Sequence, residues 1–374
     1  MNPLLAGCCL LLLTLSIGCS PDVTAQRKSA ARLLDAAKYD SARDVVSALS
    51  RRCPNDTAVL ALRVRLYSAE RRLRDATDAL RLHDSLIGAH DSAMLMGVLE
   101  AAMKDADVVC VAATIRACGE LAVAPAYGFV ESALCDHNPV IRRAAVYAIP
   151  RYGRGNAVYA LASTVLDDDP MVRGEMLKSA IRLGDRRMLD LTRILQLESN
   201  DGVIWCFINM RAALGDRQMC AQVRKELGGE LEILKVEAAA TLARLGEVQQ
   251  LQVLAEALRS DEDCTRGMSA RALGDLKADA YLDTLVAVAF DKSDLVRVHV
   301  AYALGELGDA RAVPVLERLL HDSEPYVRAT ALVALTRLRP AEHTASAALA
   351  DSSLAVRAAA LAVLLDIQAR PAAK

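Results

Sequence analysis

The residues that could do chemistry are few and scattered. Six histidines stand at His83, His90, His137, His299, His321 and His343, and none is followed by Glu. Seven cysteines follow Cys19: Cys53, Cys110, Cys118, Cys135, Cys206, Cys220 and Cys264. Their spacing is irregular, with no C-x-x-C pair, so neither a zinc site nor a thioredoxin-like redox site is indicated. Buried thiols are the default expectation, with one or two disulfides open in an oxidising compartment. The run DDDP at 167–170 offers carboxylates. Pro170 and the missing later Gly and Glu argue against a calcium loop. G-x-S-x-G, P-loop, dinucleotide-binding and H-E-x-x-H patterns are absent. No catalytic residue, metal ligand or cofactor site is assigned from these residues.

Charge is organised where nucleophiles are not. Arg142, Arg173, Lys235, Arg266, Arg297, Arg328 and Arg357 form a basic column. Six residues before most of these stand Asp136, Asp167, Asp291, Asp322 and Asp351. Equal and opposite columns cancel locally. They predict a structural ladder, in which each Arg pairs with loop Asp residues or helix-end carbonyls, and argue against a basic ridge for an anionic partner.

These columns imply repeating elements. At a 31-residue step stand Leu121, Tyr152, Leu183, Leu214, Leu245, Leu276, Leu307 and Leu338. The next column holds Gly153, Gly184, Gly215, Gly246 and Gly308, each placed to stop a helix with a left-handed residue. Fifteen residues earlier lie Asp107, Asn138, Asp169, Asn200, Leu231, Glu262, Ser293 and Glu324, mostly helix-capping or acidic types. Pro139, Pro170 and Pro325 follow, where Pro suits a first turn. Each unit therefore reads as two antiparallel helices, A and B. Val296, Val300, Ala303 and Leu304 mark an apolar stripe on one helix A, and Val313, Leu316 and Leu320 mark one on the next helix B. A single hairpin cannot bury both stripes; stacked neighbours can.

The pattern D-x-x-P-x-V-R…A-L-x-x-L-G-D-x-x-A-V-x-x-L-x-x-L-L-x-D resembles the short HEAT-like repeat of phycobilin lyase subunits and many bacterial proteins. It covers residues 91–370, with units beginning near Asp105, Asp136, Asp167, Glu198, Gly229, Ser260, Asp291, Asp322 and Asp351. Residues 26–83 resemble tetratricopeptide repeats through Tyr39, Ala42 and Pro54, and then Tyr67 and Ala76. The fold expected is all-α: an α-solenoid of about nine 31-residue hairpins, preceded by a tetratricopeptide-like segment at 26–90. One relative of the repeat family, deoxyhypusine hydroxylase, is an enzyme that holds two irons with His-Glu pairs. Those pairs are missing here, and lyase activity fits poorly with export. The resemblance is therefore expected to bring the fold without either activity.

The N-terminus reads MNPLLAGCCLLLLTLSIGCS. Its apolar run is too short to span a bilayer and fits a secretory signal. LSIGC resembles a bacterial lipoprotein signal, which implies residues 1–18 as signal, lipidation at Cys19 and a tether over 19–25. Ser16 three residues before Cys19, where the family pattern puts Leu, and the lack of a preceding Lys or Arg depart from it. A plain secretory signal is the alternative. Ser20 after the Cys points to the outer membrane by the same resemblance.

Composition narrows the rest. Of 374 residues, 53% are hydrophobic but only 3% aromatic, and the net charge is −2. That excludes a nucleic-acid footprint. Trp205, the only Trp, and Phe207 sit in the unit at 198–227, where Ile204 replaces the column Arg. Tyr127, Phe129, Tyr147, Tyr152 and Tyr159 cluster two to three units earlier. Aromatics in so poor a chain are either core or partner anchors. Helix B lines the concave face of such arrays, which makes Arg193, Arg224, Lys225, Glu256, Glu317 and Arg318 further candidates for a protein partner. The expectation is a non-catalytic, membrane-anchored, exported scaffold that binds proteins of the bacterial cell envelope. A structural spacer, or an envelope enzyme with an unrecognised site, is the alternative; a deep pocket lined by ionisable groups would favour the enzyme.

Overall fold

The computed structural model describes residues 21–87 and 89–370, so Cys19 and the signal lie outside the described residues. Every element among the described residues is a helix. The chain forms two compact units, one ending at Val98 and one beginning at Leu99.

The first unit contains α1 (Pro21–Asp35), α2 (Tyr39–Arg52), α3 (Thr57–Ala69) and α4 (Leu73–Ile87). Apolar residues at helical spacing, among them Val46 and Leu49 on α2 and Val59, Leu62 and Leu66 on α3, meet in one core. Asp56 caps α3, accepting from the Val59 amide at 3.0 Å. The unit boundary falls within α5 (Ser92–Met103).

The second unit alternates long and short helices. They run α6 (Val108–Glu120), α7 (Tyr127–Ser132), α8 (Pro139–Ala148), α9 (Ala157–Ala162), α10 (Pro170–Leu183), α11 (Met188–Leu191), α12 (Asp201–Ala213), α13 (Arg217–Glu226), α14 (Glu232–Arg244), α15 (Gln250–Ala257), α16 (Asp263–Asp275), α17 (Leu282–Ala287), α18 (Asp294–Leu307), α19 (Val313–Leu319), α20 (Pro325–Leu338), α21 (Glu342–Ala348) and α22 (Leu354–Ala369). The even-numbered helices from α6 to α22 are the A helices. Asp107, Asn138, Asp169 and Asn200 cap the first four, accepting from backbone amides at 2.9, 2.9, 2.7 and 3.1 Å. Ser293 does not cap α18, because its hydroxyl donates to Asp263 instead, at 3.0 Å. The five glycines of the stop column all have positive φ; Ala122 and Lys277 hold the same left-handed position without a glycine.

Successive A helices pack side by side, and α22 packs against α6. The array therefore closes into a ring with the A helices inside. This corrects the expectation that helix B lines the inner face. The physical reason is small-residue packing. A Cβ added to Gly274 would lie 2.6 Å from the Ala303 Cα, and one added to Gly305 would lie 2.6 Å from the Ala334 Cβ. Such close steps draw the A helices together, while the shorter B helices occupy the outside.

An arginine ladder ties the outer loops together. Arg142 donates to Asp167 of the next repeat through two bonds of 2.8 Å and to the carbonyls of Asp136 and His137 at 2.9 and 3.2 Å. Arg297 repeats this with Asp322, and Arg328 with Asp351. Arg266 binds Asp291, Arg173 binds Glu198 in the same manner, and Arg357 donates to the Asp351 carbonyl at 2.6 Å. Each carboxylate of the Asp column also accepts the amide two residues on, as Asp291 does from Ser293 at 2.8 Å. Among the described residues the ladder is interrupted at Ile204 and at Lys235, whose position in the column is followed 25 residues on by Ser260 instead of a carboxylate.

Candidate functional site

The A helices turn three register columns toward the ring centre. One runs Glu120, Arg151, Arg182, Ala213, Arg244, Asp275, Glu306 and Arg337, directly before the Leu column. A second runs Arg116, Tyr147, Lys178, Asn209, Ala240, Arg271 and Tyr302; a third includes Glu175, Cys206, Glu237 and His299. Positions that solvate the outside of an ordinary helix are here enclosed by neighbours. Tyr147, Cys206 and His299 were noted singly from the sequence, but the charged members of these columns were not. A 31-residue column of ionisable groups in phase with Leu is the signal that would have found them.

On one side the centre is filled. Arg337 donates to the Glu120 carbonyl at 2.8 Å and to its carboxylate. Arg151 lies 3.2 Å from the same carboxylate and donates to the Tyr302 hydroxyl at 2.9 Å. Tyr302 donates to Asp275 and Tyr147 to Glu120. Burial alone would raise the Glu120 carboxyl; Arg151 and Arg337 outweigh it and hold it at about 2. Four guanidinium groups, from Arg116, Arg151, Arg182 and Arg271, lie 4.2–5.0 Å from the Tyr147 ring centroid.

On the other side lies a chamber of about 270 Å³ between α10, α12, α14, α16 and α18. It coincides with the interruption of the outer ladder, where Ala240 stands in an inner column otherwise filled by larger side chains. Glu175, Arg182, Arg271 and Asp275 form its floor, each 15–21% exposed at the side chain. Lys178 and Arg244 stand at its mouth, and Lys178 pairs with Glu237 at 3.4 Å. The floor pairs are loose: Arg182 to Glu175 3.6 Å, Arg182 to Asp275 3.9 Å, Arg271 to Asp275 3.9 Å. Burial would raise the Glu175 and Asp275 carboxyls, but Arg182 and Arg271 hold both below the usual range. His299 is pushed down to about 3 by burial and by Arg271 and Arg116, so its imidazole is neutral near pH 7. Arg271 and His299 also line a smaller cavity of about 90 Å³ on the filled side.

The residues expected to bind a partner are not brought together. Phe207 is buried, and Trp205 is half-buried beside a small core of Ile208, Val223 and Leu242. Arg193, Arg224, Lys225, Glu256 and Arg318 are exposed on the outer layer, and Glu317 is half-buried there. Arg224 pairs with Glu247, Glu317 with Arg339, and Arg318 stacks 3.9 Å from the Phe290 ring centroid.

Residues 263–336 match the family of HEAT repeats. That segment carries HEAT repeats. It is 27% identical over 283 residues to deoxyhypusine hydroxylase-B of Oryza sativa subsp. japonica, covering 71% of this chain and 90% of that protein. Among solved structures, human deoxyhypusine hydroxylase in complex with glycerol is 20% identical with a TM-score of 0.38, over 72% of this chain and 98% of that one. The complex of CpcE and CpcF of phycocyanin lyase from Nostoc is 16% identical with a TM-score of 0.41, over 67% and 96%.

The rice relative overturns one expectation. The sequence led to the expectation of a non-catalytic protein, with an enzyme only as the alternative, whereas a protein similar over most of this chain is a hydroxylase by name. The chamber, lined by ionisable groups, is also the feature named above as favouring an enzyme. The residues present do not suit iron, however. His299 is the single histidine in the chamber and lies among guanidinium groups. Among the described residues no group of three His, Cys, Asp or Glu is placed to hold a metal ion.

Proposed function

We propose that this protein binds a small molecule in the centre of a closed HEAT ring, held at the bacterial cell envelope. The observation that carries the reading is the chamber: about 270 Å³, charged on its floor, with ion pairs too long for hydrogen bonds. A protein that needed only a stable ring would fill that space with apolar side chains, because loosely paired buried charges contribute little to stability. Convergent polar groups in a concave site mark recognition or reaction of a ligand. A closed ring also lacks the long open groove that a scaffold would offer, so the binding site moves from the groove to the centre.

Export rests on the N-terminal apolar run, and lipidation at Cys19, with placement at the outer membrane facing the periplasm or the surface, rests on LSIGC. The exposed B helices and the tetratricopeptide-like N-terminal helices are the surfaces proposed for an envelope protein partner.

The test is native mass spectrometry of full-length protein extracted from membranes in mild detergent, beside the Ala240→Phe variant. A small molecule carried by the wild type and lost from a folded Ala240→Phe protein supports the reading. An empty wild type whose unfolding temperature no cell metabolite raises sinks it.

A further inference from the structure

The chain treats its arginines in two ways. Ladder arginines are saturated: Arg142, Arg266, Arg297 and Arg328 each bind a carboxylate through two nitrogens and two backbone carbonyls besides. The chamber arginines are not. Arg182 Nε and Nη1 and Arg271 Nη2 are buried and find no hydrogen-bond partner among the described residues, and neither does Glu175 Oε1. A buried guanidinium without acceptors costs free energy that the same chain avoids elsewhere. At the mouth, Arg244 makes no ion pair within 4 Å among the described residues, while Lys178 is already matched by Glu237. Charge on the lining confirms the sign: Lys178, Arg182, Arg244 and Arg271 face Glu175, Glu237 and Asp275, four against three.

We propose that the chamber takes a small oxyanion, a carboxylate or phosphate, held by Arg182 and Arg271 and drawn in past Arg244, on a molecule that also carries a hydroxyl or ammonium donor for Glu175. This rests on the reading of the chamber as a ligand site and adds the ligand's chemistry. Planar guanidinium forks suit oxyanions through paired hydrogen bonds, and the unpartnered Glu175 oxygen requires a donor beside them. The volume of about 270 Å³ suits a small anion, such as a hydroxy acid, an amino acid or a small phosphate ester.

The test is calorimetric titration of the full-length protein in detergent with malate, glycerol 3-phosphate, neutral malamide and cationic putrescine. Arg244→Gln is compared with Arg259→Gln, which alters an exposed residue outside the chamber. The expected result is binding of malate or glycerol 3-phosphate, about tenfold or more weaker in Arg244→Gln and unchanged in Arg259→Gln. The unfolding temperature of free Arg244→Gln should stay near that of the wild type, which separates lost binding from lost fold. Binding of malamide or putrescine in preference to the anions overturns the oxyanion and leaves the chamber reading intact. Binding by none of the four overturns it too, and the chamber reading then stands or falls on the co-purification experiment. Equal affinity in Arg244→Gln and wild type removes Arg244 from the site.

Discussion

Arg337 clasps Glu120, 217 residues earlier in the chain, through both its backbone carbonyl and its carboxylate. The two belong to the same register column, and their contact helps join the two ends of the ring. Removing one partner strands a buried charge. Glu120→Gln is expected to cost about 3–5 kcal/mol in urea unfolding, with the double variant Glu120→Gln/Arg337→Met recovering part of it. The Glu120 carboxyl moves from 4.5 when unfolded to about 2 when folded. Its contribution is therefore complete above about pH 5 and lost as pH falls toward 2. An acid-unfolding midpoint unchanged by Glu120→Gln would contradict this.

The inner helices approach through glycines, and that spacing can be probed. A Cβ at Gly305 would press on Ala334, whereas one at Gly128 meets nothing within 4 Å. Gly305→Ala should destabilise by about 1–3 kcal/mol through overpacking. Gly128→Ala, within α7, should be neutral or stabilising by up to about 1 kcal/mol. Thermal unfolding of the pair decides; equal effects would mean that the ring does not need its close steps.

Ladder arginines should outweigh ordinary surface pairs. Arg297→Met loses four hydrogen bonds and leaves Asp322, only 9% exposed at the side chain, without its partner. A loss of about 2–3 kcal/mol is expected. Arg311 is 63% exposed and binds Asp309 two residues away, so Arg311→Met should cost far less than Arg297→Met. Comparable losses in the two variants would deny the ladder its special weight.

His299 gives the fold a pH slope of its own. Its ring titrates near 6.5 when unfolded and near 3 when folded, because burial, Arg271 and Arg116 disfavour the cation. Between those values the unfolded chain binds more protons, so stability falls as pH drops from about 6.5 toward 3 and is level above. Subtracting the pH profile of His299→Gln from that of wild type isolates the effect. A flat difference would show that the imidazole is not held neutral.

Thiol chemistry should follow burial. Cys135 and Cys264 are exposed, whereas Cys110, Cys118 and Cys206 are buried, with Cys110 pushed up to about 12 and Cys206 to about 11, chiefly by desolvation. Mass spectrometry after brief alkylation should find label on Cys135 and Cys264 and none on the buried three. Early label at Cys118 would mean that the ring opens readily.

The fold was legible because its signals repeat. Leu, Gly and capping columns fall at one spacing, and a periodic signal summed over eight positions outweighs local noise. Closure was not legible, since it depends on how far each close step at Gly119, Gly274 or Gly305 turns the stack. The inner columns were present in the sequence as well. Glu120, Arg151, Arg182, Arg244, Asp275 and Arg337 step by 31 residues or multiples of it, yet charge on a helix is ordinarily read as solvated. Only closure turns that face into a centre. Trp205 and Phe207 drew notice by rarity; Phe207 is buried, and Trp205 is half-buried beside a small core. The irregular repeat around them mattered because it interrupts the outer ladder beside the chamber.

Closure makes the repeat number an integer with consequences. An open solenoid can lengthen by duplicating a unit, since its ends are free. The described residues form a ring of nine inner helices, so each step must turn the chain by about one ninth of a circle. One more or one fewer repeat would strand Arg337 away from Glu120 and resize the chamber together. Gene duplication, the usual route by which such arrays change length, would here have to re-form the whole ring at a new size. The shorter route runs through single side chains in the inner columns, where one substitution alters the ligand without altering the frame.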